Sequence, residues 1–230
     1  LLASAGADIV VELDFDSIMA SMPAERFMKE ILQERLGVRL LAIGYDHHFG
    51  KPCDEEGFEN YVEYGKKMGI EVVRLSPFAV DGVTVSSSVV RRALASGNVS
   101  EAYKVLGHSF SFEGTVVHGA GIGHKIGFPT ANIVLVEEMM LLPADGVYEV
   151  NLSIGASGYK GVMNIGVKPT VDSNSVRTIE IHLLDFSEDI YGKRVRVELV
   201  RRLREEQLFD SMSALRLQIE KDVARVRNNI

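Results

Sequence analysis

The stretch Arg194-Val195-Arg196-Val197-Glu198-Leu199 alternates charged and apolar side chains. Successive side chains of a β-strand point to opposite faces, so this alternation predicts a strand with one buried and one solvated face. Other stretches of the second half also indicate strands, and turn-forming residues separate them: 112–117, 146–154, 159–165 and 177–184. Several short strands with turns between them predict a small closed β-barrel.

Helical signals flank the predicted barrel on both sides. Ser86-Ser87-Ser88 caps a helix that begins near Val89, and Asn98 with Glu101 predicts the cap of a second helix. Helical periodicity returns near the end of the chain, at four apolar residues that share one face: Leu215, Ile219, Val223 and Val226. We therefore expect a C-terminal helix after the barrel.

The first half of the chain alternates strand signals with helix signals. Strands are predicted at residues 8–13, 38–43 and 70–75, and helices at residues 23–37 and 58–69. This alternation indicates a parallel sheet whose strands are joined by crossover helices. The expected fold class is thus α/β followed by a β-barrel.

The composition bears on the compartment and on the partners. The 230 residues contain 25 Lys and Arg against 32 Asp and Glu, a net charge of −7, so we expect no nucleic-acid partner. No apolar run is long enough to span a bilayer, so we expect no membrane association. Cys53 is the only cysteine, which fits a reducing, cytoplasmic compartment. The chain shows no signal-like start. Since Leu1 is not a Met, we expect further residues upstream.

A glycine-dense loop, Gly-Ala-Gly-Ile-Gly-His-Lys-Ile-Gly, occupies residues 119–127. The backbone N–H groups of such a loop can approach phosphate oxygens closely. The loop lacks both the Gly-Lys-Ser/Thr of a Walker loop and the G-x-G-x-x-G pattern. Taken alone, it indicates either a phosphate loop or a plain turn.

Three polar residues of the second half are candidates for chemistry. Thr130 and Asn132 flank Ala131 on one predicted strand face, where a hydroxyl and an amide oxygen could hold Mg²⁺ or a phosphate. Glu180 shares the polar face of its predicted strand with Thr178 and His182, and its carboxylate could accept the proton of an attacking hydroxyl. In isolation, an ordinary solvated position is the simpler interpretation of each.

The order of the motifs carries more information than any one of them. The run Gly-Phe-Pro-Thr-Ala-Asn at residues 127–132 is followed by five more motifs: 143–148, 164–170, 180–186, 191–192 and 203–206. The series covers the whole second half. It resembles the riboflavin kinase domain of bacterial bifunctional riboflavin kinase/FMN adenylyltransferases. The resemblance implies a riboflavin kinase barrel at residues 108–230.

The resemblance also implies roles for the matching residues. Glu180 would be the base that activates the 5′-hydroxyl of riboflavin, and Thr130 and Asn132 would bind the Mg²⁺–ATP complex. Arg204 and Glu205 would line the flavin site. The ATP phosphate loop would be shaped by Gly123, His124, Lys125 and Gly127. His124 stands where the family usually has Arg.

The first half resembles the adenylyltransferase module of the same enzymes. Residues 44–50 match its G-x-D-x-x-F-G loop, and residues 86–91 match its I-S-S-T-x-x-R motif. This implies an incomplete Rossmann-like nucleotidylyltransferase domain at residues 1–107, with a nucleotide site formed by Asp46, Ser86, Ser87, Ser88 and Arg91. The family's phosphate-binding H-x-G-H motif does not occur in the chain, so we expect the part of the domain that carries it to lie upstream.

Three hypotheses follow from these patterns. The first is a riboflavin kinase that uses Mg²⁺ and ATP to make FMN. The second is that the full-length protein also adenylylates FMN to FAD, with the help of the upstream segment. The third is a non-catalytic flavin- or nucleotide-binding module, which His124 and the missing H-x-G-H motif would favour.

Overall fold

The computed structural model describes residues 2, 5–45, 47, 57–119, 121–137, 139–168 and 176–228. The chain forms two compact units, Leu1–Phe78 and Ala79–Ile230. The boundary between residues 107 and 108, which the motifs suggested, stays a prediction. No described helix combines the length and the apolar character needed to cross a membrane.

The first unit is built around a short parallel sheet. Strands β1 (Leu40–Ile43) and β2 (Glu71–Arg74) pair in parallel, and helix α3 (Phe58–Met68) lies between them in the chain. This arrangement confirms the predicted strand–helix–strand order. Two helices precede β1, namely α1 (Ser17–Ser21) and α2 (Ala24–Phe27), and a π-helical segment (Met28–Arg35) continues α2.

The strand predicted at residues 8–13 is wrong. Residues 9–16 adopt no regular secondary structure, and Ile9 and Phe15 are each 81% exposed. β-branched residues favour strands where a neighbouring strand pairs with them and a core covers one face. Among the described residues, β1 and β2 pair only with each other, so this run has neither support.

The second unit opens with a short hairpin and two helices. Strands β3 (Ala79–Val80) and β4 (Val83–Thr84) precede α4 (Ser87–Ala95) and α5 (Val99–Leu106). The predicted caps are confirmed, since the side chains of Ser86 and Asn98 accept hydrogen bonds from the N–H groups three residues ahead, at 3.4 and 3.2 Å.

Within the described residues, six antiparallel strands close into the predicted barrel, in the order β10-β5-β6-β9-β8-β7. Their bounds are β5 Ser111–Val117, β6 Ala131–Leu135, β7 Gly146–Ile154, β8 Ser157–Lys168, β9 Val176–Leu183 and β10 Arg194–Arg204. Val195, Val197 and Leu199 are at most 2% exposed inside the barrel, as their alternation with charged residues predicts. The opposite face of each strand is therefore free to carry polar side chains.

Two helical elements complete this unit. Helix α6 (Ile122–Lys125) is a single turn within the glycine-dense loop. Helix α7 (Met212–Arg227) is the predicted C-terminal helix, and the Ser211 side chain caps it by accepting from the Ala214 N–H at 3.2 Å. The buried Val226 of α7 packs with Val147 and Val162, so the helix covers part of the outer face of the barrel.

Candidate active site

A cleft of about 560 Å³ lies on the outer face of the barrel. Three parts of the second unit line it: the glycine-dense loop with the turn that follows, the outward side chains of β7–β10, and residues 206–222 of the last loop and α7. Much of the lining is apolar, including Phe128, Phe209, Leu215 and Ile219. Polar side chains also line the cleft, and this combination of an apolar surface with polar groups is typical of small-molecule sites.

The register of β6 and β9 brings the three candidate residues together. Asn132 is the ladder partner of Glu180, so their side chains emerge side by side on the same face of the sheet. Thr130 lies just before β6, and its Oγ1 donates a hydrogen bond to Oε2 of Glu180 at 3.2 Å. All three side chains are half-buried. One hydroxyl, one amide and one carboxylate thus share a single spot.

The glycines of the loop allow it to pack tightly against this trio. A Cβ on Gly119 would lie 2.1 Å from Nδ2 of Asn132, and a Cβ on Gly123 would lie 2.3 Å from the backbone oxygen of Phe128. Gly127 has a φ of +85°, which a residue with a side chain rarely adopts. The glycine-dense composition therefore has a structural cause in the close approach of the loop backbone to the Asn132 side chain and to the Phe128 backbone.

A second pocket, of about 400 Å³, adjoins the first at Thr130, which lines both. His124, Pro129 and Tyr191 also line this smaller pocket. The Tyr191 ring stacks on that of His118 with 3.7 Å between the ring centroids. Thr130 therefore lies where the larger and the smaller cavity meet.

An ion pair between Arg204 and Asp222 lies on the side of the larger cleft formed by β10 and α7. Nε of Arg204 donates to Oδ2 of Asp222 at 2.9 Å, and Asp222 is fully buried. Gln218 donates to the other oxygen of the same carboxylate at 3.0 Å. The Arg204 guanidinium also lies 5.8 Å from the centre of the Phe209 ring. Arg204 thereby ties the end of β10 to α7 and to the loop between them.

The other residues predicted for the kinase site lie in different surroundings. His124 faces the smaller pocket, whereas the exposed Lys125 and Gly127 line neither pocket in the described structure. The Glu205 side chain is 83% exposed and lies 4.0 Å from Arg202, while its backbone oxygen accepts from Arg204 at 2.9 Å. Glu206, rather than Glu205, lines the cleft.

The residues predicted for a nucleotide site in the first half are only partly described. Asp46 lies outside the described residues. Ser86 is the N-cap of α4, and Ser87, Ser88 and Arg91 have exposed side chains on that helix. Their proposed contact with nucleotide stays a prediction.

Asn164, His182 and Glu206 line the cleft close to Glu180 or to each other, and none of them was predicted as a site residue. Asn164 is the ladder partner of Glu180 on β8, and its Nδ2 donates to Oε1 of Glu206 at 3.2 Å. His182 lies two residues beyond Glu180, and its Nδ1 is 2.9 Å from the backbone oxygen of Pro129. All three fall within the motif runs of the second half. Strand periodicity from Glu180 was the signal for His182. Asn164 needed the strand register, and Glu206, in the loop after β10, had no local signal.

Comparison with known proteins identifies the family to which the chain belongs. The sequence model of the riboflavin kinase family matches residues 106–230. The chain is 40% identical to the bifunctional riboflavin kinase/FMN adenylyltransferase of Pseudomonas fluorescens, over 96% of this chain and 70% of that protein. The chain belongs to this family. The riboflavin kinase barrel that the motif order implied is thereby confirmed.

Further members of this bifunctional kinase family, together with a second family model, match both halves of the chain. The sequence model of FAD synthetase matches residues 1–89. The bifunctional enzyme of Escherichia coli K12 is 39% identical over 98% of this chain and 71% of its own length. A crystal structure of a protein named macrolide-efflux protein, from Streptococcus pneumoniae, superposes with a TM-score of 0.88 at 34% identity, over 99% of this chain and 72% of that one.

Proposed function

We propose that the chain transfers the γ-phosphoryl group of ATP to the 5′-hydroxyl of the ribityl chain of riboflavin, releasing FMN and ADP. The observation that carries the proposal is the contact between Thr130 and Glu180 at the junction of two pockets. A kinase must bring two substrates together at one point. The family supplies the identity of the two substrates.

The two pockets divide naturally between the substrates. The larger cleft offers aromatic and aliphatic side chains to a flat, apolar ring system, which suits the flavin. The smaller pocket lies against His124 and the turn before β6, next to the loop that resembles a phosphate loop. ATP in the smaller pocket would present its terminal phosphate at Thr130. The ribityl chain would reach the same residue from the other side.

Glu180 is the base in this proposal. Its carboxylate accepts the proton of the 5′-hydroxyl, whose oxygen forms a bond to the γ-phosphorus while the bond to the β,γ-bridging oxygen breaks. ADP leaves with the electrons of that bond. The hydrogen bond from Thr130 restricts the rotation of the carboxylate, so one oxygen is oriented before the substrate arrives.

The same spot suits Mg²⁺. The described residues contain no group of three or more His, Cys, Asp and Glu side chains that could hold a metal ion. A hydroxyl, an amide oxygen and a carboxylate are nevertheless the hard oxygen donors that Mg²⁺ accepts, and Mg²⁺ commonly completes its shell with substrate phosphates and water. Thr130 and Asn132 would hold the ion. Bound there, Mg²⁺ would neutralise charge on the ATP phosphates.

The remaining predicted residues have supporting roles in the proposal. Gly123 and Gly127 allow the loop its shape, His124 offers a ring N–H to the ATP phosphates, and Lys125 adds a positive charge to the same loop. Arg204 contributes to the flavin site by holding Phe209 and α7, and Glu205 contributes its backbone oxygen to that arrangement.

A direct assay tests the proposal. The purified chain is incubated with riboflavin, ATP and Mg²⁺, and the flavins are separated by chromatography. We expect FMN only when all three are present and no FMN when EDTA is added. Tight flavin binding without turnover, with any divalent metal, would instead support the non-catalytic binding module.

Adenylylation of FMN is a second candidate activity, favoured by the match of residues 1–89 to FAD synthetase. The H-x-G-H motif does not occur in the 230 residues, and its histidines stabilise the transferred nucleotidyl group in this family. We infer that the chain as given makes FMN but not FAD. In a longer protein that carries the motif, Asp46, Ser86, Ser87, Ser88 and Arg91 would complete the nucleotide site. FAD formation by the 230 residues alone would contradict this inference.

A further inference from the structure

His182 lies beside the reacting groups without pairing with them. It follows Glu180 by two residues on the outer face of β9, is half-buried, and lines the larger cleft. Its Nδ1 lies 2.9 Å from the backbone oxygen of Pro129. Its ring also meets the Phe128 ring edge to face, with centroids 5.2 Å apart. His182 thus holds the Phe128–Pro129 turn that leads into Thr130.

The chemistry of Pro129 determines which ring nitrogen carries the hydrogen. A backbone oxygen only accepts, so Nδ1 of His182 must be the donor. Pro129 has no N–H, so its oxygen is the one hydrogen-bonding group that its backbone offers. The turn is held at a second point, because the Phe128 N–H donates to the Gly123 oxygen at 2.9 Å. Two hydrogen bonds therefore hold the turn between the glycine-dense loop and β9.

The orientation of the Pro129 oxygen also sets the orientation of the Thr130 N–H. The two groups belong to one planar trans peptide, so they point in opposite directions. A hydrogen bond from His182 to the oxygen therefore directs the Thr130 N–H away from His182. Among the described residues, this N–H donates no hydrogen bond. Pro129 and Thr130 also line the smaller pocket, whereas His182 does not.

We propose that His182 is a positioning residue that orients the Pro129–Thr130 peptide, so that the Thr130 N–H donates to a phosphate oxygen of ATP. The inference rests on the proposed kinase function, and it adds a donor and the residue that aims it. A backbone N–H oriented in advance stabilises developing charge at no reorganisation cost. His182 itself touches neither the metal nor the reacting atoms.

Three substitutions of His182 test the inference. The amide nitrogen of Asn can occupy the position of Nδ1, whereas that of Gln lies at the position of Nε2. We expect His182→Ala and His182→Gln to lower kcat/KM for Mg-ATP by about tenfold, which corresponds to the loss of one oriented hydrogen bond. His182→Asn should stay within about threefold of the wild type. Because His182 also lines the larger cleft, riboflavin affinity, measured by fluorescence titration without nucleotide, should change in each variant by much less than kcat/KM for Mg-ATP.

A matched control comes from His108. Its Nδ1 lies 3.0 Å from the backbone oxygen of Ser109, but it is exposed and does not line the described cleft. His108→Ala should leave kcat/KM unchanged. Thermal unfolding of each variant checks that it is folded. If the Ala variant does not fold, the comparison of the Asn variant with the Gln variant tests the inference.

Several results would overturn the inference. They are an Ala variant as active as the wild type, an Asn variant as impaired as the Ala variant, and a loss of riboflavin affinity as large as the loss of kcat/KM for Mg-ATP. Long-range ¹H–¹⁵N spectra of the imidazoles give an independent readout, and a neutral His182 with its hydrogen on Nε2 would contradict the geometry.

Failure of the proposed kinase function is recognised separately, because the wild-type chain would then make no FMN. In that case the Mg-ADP dissociation constants of the same variants decide. The role of His182 is supported if the wild type and the Asn variant bind Mg-ADP more tightly than the Ala and Gln variants do. Equal constants, or no binding by any variant, reject it.

Discussion

The Thr130 hydroxyl donates a hydrogen bond to the Glu180 carboxylate over 3.2 Å, although 50 residues separate the two in the chain. The antiparallel pairing of β6 with β9 brings them together, because Asn132 and Glu180 are ladder partners. The proposed base and the proposed metal-binding hydroxyl therefore touch before any substrate binds. The loss of the Glu180 carboxylate should affect proton transfer, whereas the loss of the Thr130 hydroxyl should affect metal binding.

Glu180→Gln should abolish most turnover and preserve binding. The amide keeps the shape of the side chain but cannot accept the hydroxyl proton, and general base catalysis typically contributes a factor of about 10² to 10⁴. We expect kcat for FMN formation to fall by about 10³-fold, with riboflavin affinity unchanged in a fluorescence titration. Glu113→Gln, at an exposed carboxylate on β5, is the matched control and should have full activity. If Glu180→Gln retains more than about a tenth of wild-type activity, Glu180 is not the base.

Thr130→Val and Thr130→Ser separate the hydroxyl of Thr130 from its methyl group. Valine preserves the branched shape but removes the oxygen that bonds Glu180 and would hold Mg²⁺. We expect the Val variant to need about tenfold more Mg-ATP for half-maximal rate, and the Ser variant to stay within about threefold of the wild type. Initial rates over a Mg²⁺ titration at fixed ATP measure this difference. Identical titrations for the two variants would show that the hydroxyl makes no contribution to metal binding.

The barrel could be predicted from the sequence because each strand carries its own signal. Val195, Val197 and Leu199 fill the barrel interior at the period of two that the sequence shows. The same reasoning failed at residues 8–13, where β-branched side chains occur without a pairing strand or a core. A local pattern predicts a strand only where the fold supplies its neighbours.

The candidate site was predictable only in part, for a related reason. The order of the motifs identified Thr130, Asn132 and Glu180, but their proximity depends on a strand register that no single motif encodes. The roles of His182 and Glu206 depend on partners far away in the chain: the oxygen of Pro129, 53 residues before, and Asn164, 42 residues before. In sequence alone each resembles any other polar residue of a strand or loop.

The buried pair of Arg204 and Asp222 should matter for stability. Asp222 is fully buried and the Arg204 side chain is 14% exposed. Asp222→Ala leaves a largely buried guanidinium without its partner, which costs about 3 kcal/mol. Glu220→Ala on the same helix removes an exposed pair, in which Arg216 and Glu220 are 62% and 47% exposed, and should cost less than about 0.5 kcal/mol. Urea unfolding of both variants measures the contrast, and similar midpoints would contradict it.

Gly166→Ala should weaken riboflavin binding without unfolding the barrel. A Cβ on Gly166 would lie 1.8 Å from Oε1 of Glu206, so the end of that flexible side chain must move and its 3.2 Å bond with Asn164 is lost. Asn164 lies opposite Glu180 on the neighbouring strand, about 5 Å away. With the 5′-hydroxyl at Glu180, the Asn164–Glu206 pair would face the adjacent ribityl hydroxyls.

For Gly166→Ala we therefore expect the KM for riboflavin to rise about fivefold, as for the loss of one hydrogen bond, and the KM for ATP to stay the same. Glu206→Gln should also raise the KM for riboflavin. Gly158→Ala is the control on the same strand, because a Cβ there meets nothing within 4 Å. Steady-state kinetics and thermal unfolding of the three variants measure the effect. If Gly166→Ala and Gly158→Ala give the same KM for riboflavin, Glu206 does not contribute to recognition of the ribityl chain. Of the polar residues proposed to face the ribityl chain and the reacting phosphate, Glu180 and Thr130 would then remain.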